Sequence, residues 1–391
     1  MSSHRLIRLN FGQNLTHFGE TGIGLESTSE RVRSDALFSA WMSAYVRIFG
    51  KDDLESLLAK FEPDQKQPPA QPPFRLSSTF IYHQRHTAKS SQSEIIDYVP
   101  RPLAFPKGYP VTNDLALSKT YRKLHFLPLE IWQRWYQGQG MTSDDIDELA
   151  QETLGQSTGS LKQAGTFDYS ATFATQQVPK VAIDRTTRAT NFYHIGFTRY
   201  NAQADDHSGL YFLLQFPEAN AELEGCLHAA LELLGEEGLG GERSSGAGQF
   251  EITEWSDLSQ NHLKTLAKND AKKPSLERWR DVLQFANGNH HSLISLFWQH
   301  PFPKDRLGPQ AQYALLERGG WIVSQQLRRQ MVRMFAEGSV FSEPPHGQLA
   351  DVTPLQIQKQ LAQDNPPPKV HHVYRSGIAL SLPIALEVNT P

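Results

Sequence analysis

The sequence predicts an α+β fold, on three observations. Arg5-Leu6-Ile7-Arg8-Leu9-Asn10-Phe11 alternates polar and apolar residues as a strand does, and a loop then leads into an amphipathic helix from Ser34. A second unit, residues 209–255, reads strand, helix, glycine-rich loop, strand. Two strand-like arms, Lys180-Val181-Ala182-Ile183 and Phe192-Tyr193-His194-Ile195, flank a polar tip and predict a long hairpin over 176–200.

The elements follow in order. Ser34-Asp35 caps a helix whose apolar positions Leu37, Phe38, Trp41, Ala44, Tyr45 and Ile48 recur at three- and four-residue spacing, and Gly50 ends it. The loop before it holds His17-Phe18-Gly19 and Gly22-Ile23-Gly24. Strand, glycine-rich loop and helix make the first half of a ferredoxin-like unit. Residues 62–73 are rich in Pro and Gln and read as a linker or exposed loop. A strand is expected at 74–82, then a polar stretch to Ser93, then a short extended piece at 95–99 stopped by Pro100 and Pro102. Residues 121–136 suggest a short aromatic helix, and 144–154 an acidic one.

After the hairpin, 209–216 reads as a buried strand. A helix with Leu223, Leu227, Ala230, Leu231 and Leu234 follows, and Gln249 to Trp255 closes the unit. This gives a β-α-β-β-α-β domain over 1–255, with an insertion over 62–175. Residues 256–391 are expected to form a second, irregular ferredoxin-like domain. They hold a polar helical stretch at 256–288 and strand candidates at 291–298, 320–324, 330–335, 339–341 and 375–386. Within it, 331–341 suggests a hairpin turning at Glu337-Gly338, and Asn365-Pro366-Pro367-Pro368-Lys369 a stiff extended linker.

The glycine-rich loop holds five glycines between Gly238 and Gly248, with Arg243, Ser244 and Ser245 among them. Glycine is favoured where φ is positive or where main chain closely approaches another group. Such a loop suits backbone N–H groups and an arginine laid over phosphates. It is not a P-loop, because Gly241-x4-Gly246 is followed by Ala247-Gly248. It is not the dinucleotide fingerprint either, because the order is helix, loop, strand. A surface turn is the plainer alternative.

The formal net charge of −4 excludes a globally basic nucleic-acid binder, so any RNA site must be a local groove. Basic residues do gather locally, in 75–125 and in 180–199. Cys226 is the only cysteine, which excludes an internal disulfide framework and a cysteine-based zinc finger. His83-x-x-His86, His290-His291 and His371-His372 supply no ligand set of three or four, so no metal and no cofactor are expected. The absence of a membrane-length apolar run and of a signal-peptide core at Met1 to Ile7 leads to the expectation of a cytoplasmic protein without a membrane partner.

Several of these pieces, in this order, resemble the RAMP subunits of type III CRISPR–Cas effector complexes. They are His17-Phe18-Gly19, Ser34-Asp35-Ala36-Leu37-Phe38, Leu76-Ser77-Ser78-Thr79-Phe80 with Tyr98-Val99-Pro100-Arg101-Pro102, Ile183-Asp184-Arg185-Thr186-Thr187, the glycine loop to Phe250, and His372 to Gly377 with Leu382-Pro383-Ile384. The likeness is greatest to the Csm-type subunit that caps the crRNA 5′ end, the fourth Csm subunit of the Cas-five group. It implies two ferredoxin-like (RRM-like) domains, a thumb hairpin and no catalytic role. It implies a grip on the repeat-derived 5′ tag of crRNA in an antiviral ribonucleoprotein. It also implies docking to the large polymerase-like signature subunit and to a backbone RAMP subunit.

On this reading Arg243, Ser244 and Ser245 hydrogen-bond RNA, while Gly241, Gly246 and Gly248 allow backbone approach. Arg185 and Arg188 at the hairpin tip are the next candidates for phosphate contact. Lys180 and His194 fit either an RNA contact or a solvated strand. His17 fits an RNA contact, a structural residue, or the general acid/base of a RAMP endoribonuclease that processes pre-crRNA. The last is the alternative function, although no Tyr or Lys accompanies His17 in its loop.

Overall fold

A computed structural model of the chain describes residues 2–19, 26–61, 71–86, 93–110, 115–267, 270–302, 307–308, 311–322, 327–363, 367 and 370–387. Strand β1 (Ser3–Asn10) leads through the His17 loop to helices α1 (Ser34–Phe49) and α2 (Lys51–Ala59). Strands β2 (Arg75–Leu76), β3 (Phe80–His86) and β4 (Ser93–Pro100) follow. The insertion then forms α3 (Leu115–Lys123), β5 (Phe126–Pro128), α4 (Leu129–Tyr136), α5 (Ser143–Glu152) and α6 (Ser160–Gln163). Next come β6 (Phe173–Ile183), β7 (Thr190–Tyr200), β8 (Asp206–Phe216), α7 (Ala221–Glu237) and β9 (Glu251–Asp257). The remainder holds α8 (Gln260–Thr265), α9 (Lys273–Leu283), β10 (His290–Leu293), β11 (Leu315–Arg318), β12 (Trp321–Ile322) and β13 (Leu327–Arg328). It ends with β14 (Val332–Phe335), β15 (Val340–Phe341), β16 (Leu349–Asp351), α10 (Leu355–Leu361), β17 (Tyr374–Ser376) and β18 (Ser381–Ile384). The mixture of helix and sheet is that of an α+β protein.

The main sheet runs β5-β4-β3-β8-β1-β9, with β2 added to β8. Its register is set by apolar alternation, with Leu6 opposite Leu213 and Ile7 opposite Phe212. Ile7, Leu9, Leu210 and Phe212 pack with Leu37, Phe38 and Trp41 of α1 and with Leu227, Ala230, Leu231 and Leu234 of α7. The Trp41 indole N–H donates to the Leu227 carbonyl at 2.8 Å. Leu6, Tyr211 and Leu213 face the other way, against Trp132 and Trp135 of α4 and Trp279 of α9. Covering both faces explains the continuous apolar run Leu210-Tyr211-Phe212-Leu213-Leu214, which a half-exposed strand would break with polar residues.

Charged residues also tie elements together inside the core. Arg8 on β1 is 2% exposed; its Nη2 donates to both Asp97 oxygens at 2.9 and 3.0 Å, and its Nη1 pairs with Glu254 on β9. Asp97 on β4 also accepts from Ser275 Oγ at 2.5 Å and the Trp279 indole at 3.0 Å, both on α9.

Several local expectations are corrected. The 121–136 stretch does hold a short aromatic helix, α4 from Leu129, but the end of α3 and β5 precede it. Gly50 does end α1 at φ +87°, but α2 starts at once, with Asp52 and Asp53 in its first turn. Residues 331–341 turn at Glu337-Gly338 without pairing across the turn: β14 pairs with β11, and β15 with β10. The reason is Glu337 itself, buried and held by Arg31 at 3.1 Å, Arg33 at 2.5 Å and Ser78, so the turn is drawn into the protein. The 375–386 strand divides, β17 pairing with β16 and β18 with β10. The strand at 291–298 stops at Leu293.

Gly22-Ile23-Gly24, most of the Pro/Gln stretch, residues 87–92, Val323-Ser324 and most of the Pro366 linker lie outside the described residues. No helix among the described residues is long and apolar enough to cross a membrane.

Candidate nucleic-acid interface

The glycine loop leaves α7 at Gly238, whose φ of +89° turns the chain while its N–H donates back to Leu234 at 2.8 Å. Two later glycines are fixed by crowding. A Cβ on Gly248 would overlap the Leu239 carbonyl, and one on Gly240 would come within 2.5 Å of the His17 carbonyl. The loop therefore folds tightly on itself and on the loop after β1. Gly241 N–H donates to His17 O, Gly248 N–H to Leu15 O and Leu239 N–H to Gly248 O, each at 2.8 Å, and Gly246 N–H donates to Arg243 O at 2.9 Å. The N–H groups of Gly241, Gly246 and Gly248 are thus engaged inside the protein. What the loop presents outward is side chains: Arg243, Ser244 and Ser245 are exposed on a single 3-10 turn.

His17 sits beneath that turn, 6% exposed. Its Nδ1 lies 2.7 Å from the Gly196 carbonyl on β7, which fixes the hydrogen on Nδ1. The ring meets Phe197 edge-on at 6.1 Å, and a Cβ on Gly241 would lie 2.7 Å from its Cδ2. His17 therefore joins its own loop, the glycine loop and strand β7. No carboxylate, lysine or tyrosine is hydrogen-bonded to its ring among the described residues.

The hairpin β6–β7 pairs in register from Phe173 opposite Tyr200 to Ile183 opposite Thr190. Its root is packed, with Ile195 and Phe197 against Ala247 of the glycine loop. Its tip is closed by Asp184, whose Oδ1 accepts the Thr186 N–H at 2.8 Å, and by Arg188 at φ +57°. Those backbone bonds hold the Asp184 carboxyl below its usual range. Arg185 and Arg188 are exposed at this tip.

Lys180 latches the hairpin to the loop. Its Nζ donates to Glu242 Oε2 at 2.7 Å and Ser245 Oγ at 3.1 Å, and lies 5.5 Å over the Phe197 ring. Strand alternation puts His194 on the opposite face, with Val181, Ile183 and Phe192, and its ring meets Phe192 at 4.9 Å. Val181, Ile183 and Phe192 are all more than half exposed. The structure thus gathers His17, Lys180, Gly241, Arg243, Ser244, Ser245, Gly246 and Gly248. It leaves Arg185 and Arg188 roughly 15 Å further out along the strand and His194 on the other side. We expect Lys180→Met to free the hairpin, seen as faster amide exchange over 176–197 with the main sheet unaffected; unchanged exchange would refute the latch.

Beside the loop lies a cleft of about 340 Å³ between Gly238–Gly241, the start of α1 and the segment around β12. Arg31, Arg33, Arg243, Arg318, Arg329 and Arg375 line it, with the half-exposed Trp321. Two acids answer four of these arginines. Asp35 takes Arg318 through two 3.0 Å bonds and also pairs with Arg375, while Glu337 takes Arg31 and Arg33. Burial alone would raise both carboxyls, but the flanking guanidiniums hold them below the usual range. Arg329 has no ion pair among the described residues, its Nε is buried without a hydrogen-bond partner, and burial and Arg375 lower its guanidinium pKa. The cleft is therefore net positive and offers an exposed indole. Arg318, Arg329 and Trp321 were not singled out from the sequence, because nothing local links them to the glycine loop.

Comparison with known proteins agrees with this architecture. Residues 286–384 match the family model described as the CRISPR Csm4 C-terminal domain. A curated relative from Methanocaldococcus jannaschii, "CRISPR system Cms protein Csm4", is 25% identical over 369 residues, covering 86% of this chain and 85% of the relative. One of the same name from Mycobacterium tuberculosis is 27% identical over 358 residues, covering 89% and 91%. Among solved structures, a chain of the crystal structure of a Csm3–Csm4 subcomplex of the type III-A CRISPR–Cas interference complex superposes with a TM-score of 0.56. That chain is 18% identical, with 98% of this chain and 100% of that one covered, a likeness of fold. In its C-terminal region and over nearly its full length, the chain is similar to the Csm4 proteins of CRISPR systems.

Proposed function

We propose that this chain is a noncatalytic RNA-binding subunit of a type III CRISPR effector ribonucleoprotein that holds the repeat-derived 5′ tag of crRNA. It docks the large polymerase-like subunit on one side and a backbone RAMP subunit on the other. The observation that carries the reading is the outward face of the glycine loop. Arg243 and Ser244 are exposed beside a cleft with excess arginine, and Lys180 fixes an arginine-tipped hairpin to the same loop. Cations for phosphates next to an exposed indole for a base are what single-stranded RNA recognition uses. The names and assemblies of the relatives support the same function.

The order β3-β8-β1-β9, with helices after β1 and β8 on one face, supports a ferredoxin-like first domain over 1–255. Residues 256–391 are the second domain, and β6–β7 is the thumb that parts tag from guide. His17 serves as the structural joint of the site. Its burial and committed Nδ1 argue against the general acid/base of an endoribonuclease.

The test is assembly with crRNA carrying a photoreactive base in the tag. We expect crosslinks to the 241–248 and 184–188 peptides, and weaker crRNA retention in Arg185→Ala/Arg243→Ala than in either single variant. Unchanged retention in the double variant refutes the assignment. Tag-specific cleavage of pre-crRNA by the free chain, lost in His17→Ala, would restore the nuclease reading.

A further inference from the structure

We infer that a second basic cleft, built by the insertion, carries phosphates of the same single strand beyond the glycine-loop cleft. This rests on the RNA-binding reading above. The second cleft has a volume of about 830 Å³ and opens between α3, the passage from His125 to Phe126, the foot of β6 and the start of α1. Arg31, Arg33, Arg101, Lys119 and Lys123 are its main cations.

Their roles differ. Arg31 and Arg33 share the single carboxylate of Glu337. Arg101 is occupied by the Leu124 carbonyl at 2.7 Å and by the Tyr121 ring at 4.3 Å. Lys119 and Lys123 are different: both are exposed, and neither forms an ion pair among the described residues. They stand one helical turn apart on α3, an i,i+4 like-charge pair that costs an isolated helix about 0.2–0.5 kcal/mol. Glu152 lines the same cleft without pairing to either. The Cβ atoms of Lys119 and Lys123 lie about 5–6 Å apart, so the two ammonium groups can each take a phosphate of one nucleic-acid strand.

The floor is aromatic. Phe126 and Tyr169 stack at 4.5 Å with 17° between their planes, and Arg31 lies 5.2 Å over Phe126. A cationic rail beside stacked rings is the pairing that binds single strands without sequence preference. An acidic protein segment would use the lysines but not the rings. The two clefts also adjoin, because Arg31 and Arg33 line both. A strand leaving the glycine loop crosses the start of α1 and reaches Lys119 and Lys123. The insertion, on this view, lengthens the RNA path.

The experiment measures binding of fluorescent single-stranded oligoribonucleotides to the full chain across a salt series. The oligonucleotides are about four and about sixteen nucleotides long, the two ends of the usual site-size range. In Lys119→Ala/Lys123→Ala we expect the longer strand to bind more weakly, with its log–log salt slope reduced by about 1.4, two phosphate contacts at about 0.7 each. The short strand should bind as before, and Lys119→Arg/Lys123→Arg should restore the long one. Arg243→Ala should weaken both strands. If Arg243→Ala weakens binding while the lysine variant changes neither affinity nor slope, the second cleft is refuted and the first stands. No binding of either strand by the unaltered chain refutes the RNA reading of both. Binding of poly-glutamate that is lost in the lysine variant, with RNA binding unchanged, assigns the cleft to a protein partner and overturns the inference.

Discussion

Asp35→Ala is expected to lower the stability of the chain by about 3–5 kcal/mol, the cost of stranding buried charges whose partner is removed. Asp35 is fully buried at the start of α1 and receives Arg318 from β11 and Arg375 from β17. Those guanidiniums are themselves buried, at 5% and 6% exposure, so water does not replace the lost carboxylate. The variant also loses the anchor between α1 and the C-terminal strands, and with it one wall of the arginine cleft. Urea unfolding at neutral pH, followed by tryptophan fluorescence, measures the loss; a change below about 1 kcal/mol would contradict the account.

The pH dependence follows from the same pair of acids. Asp35 and Glu337 have folded-state pKa values below their unfolded ones, near 3.9 and 4.3. Their contribution is fully present above the unfolded values and is lost as pH falls through the folded ones. The contribution of these two acids should therefore be constant from neutrality to about pH 5 and decline below it. Asp35→Ala should decline less steeply, because one of the two titrations is gone.

The parts of this architecture legible in the sequence are those written in local spacing. The period of Leu37, Phe38, Trp41 and Tyr45 located α1, the two arms around Arg185 and Arg188 located the hairpin, and glycine density located the loop. What the loop's glycines do was not legible. Gly240 and Gly241 make room for His17 and Phe18 of the loop after β1, and Gly248 for Leu239 of its own loop, approaches that only the folded chain brings about. The latch was hidden for the same reason, since Lys180 and Glu242 are 62 residues apart. The arginine cleft was the least visible. Asp35 lies 283 residues from Arg318 and 340 from Arg375, and Arg329 is distinguished by having no ion pair among the described residues and an unpartnered buried Nε. Charges that neutralise each other across such separations look in sequence like ordinary solvated residues. The failed hairpin at 331–341 has the same origin: Glu337 reads as a turn residue until Arg31 and Arg33 are seen to close on it.

Arg8→Met is the second large effect, expected to cost about 3–5 kcal/mol, and it shows what kind of energy the core ion cluster holds. Arg8 pairs with both Asp97 and Glu254, which are 2% and 5% exposed, and methionine fills much of its volume without its charge. The loss would then come from two carboxylates left in a medium of low polarity rather than from a cavity. Neutralising them in turn separates the two causes. In Arg8→Met/Asp97→Asn/Glu254→Gln the amide oxygen at position 97 can still accept from Ser275 Oγ and the Trp279 indole, and the Ser256 hydroxyl still has an acceptor at 254. The triple variant should therefore recover more than half of the stability lost by Arg8→Met, as replaced buried ion clusters do when no charge is stranded. Unfolding curves of the three proteins decide the matter. If the triple variant is no more stable than the single one, shape and hydrogen bonding at Arg8, not charge balance, hold β1, β4, β9 and α9 together.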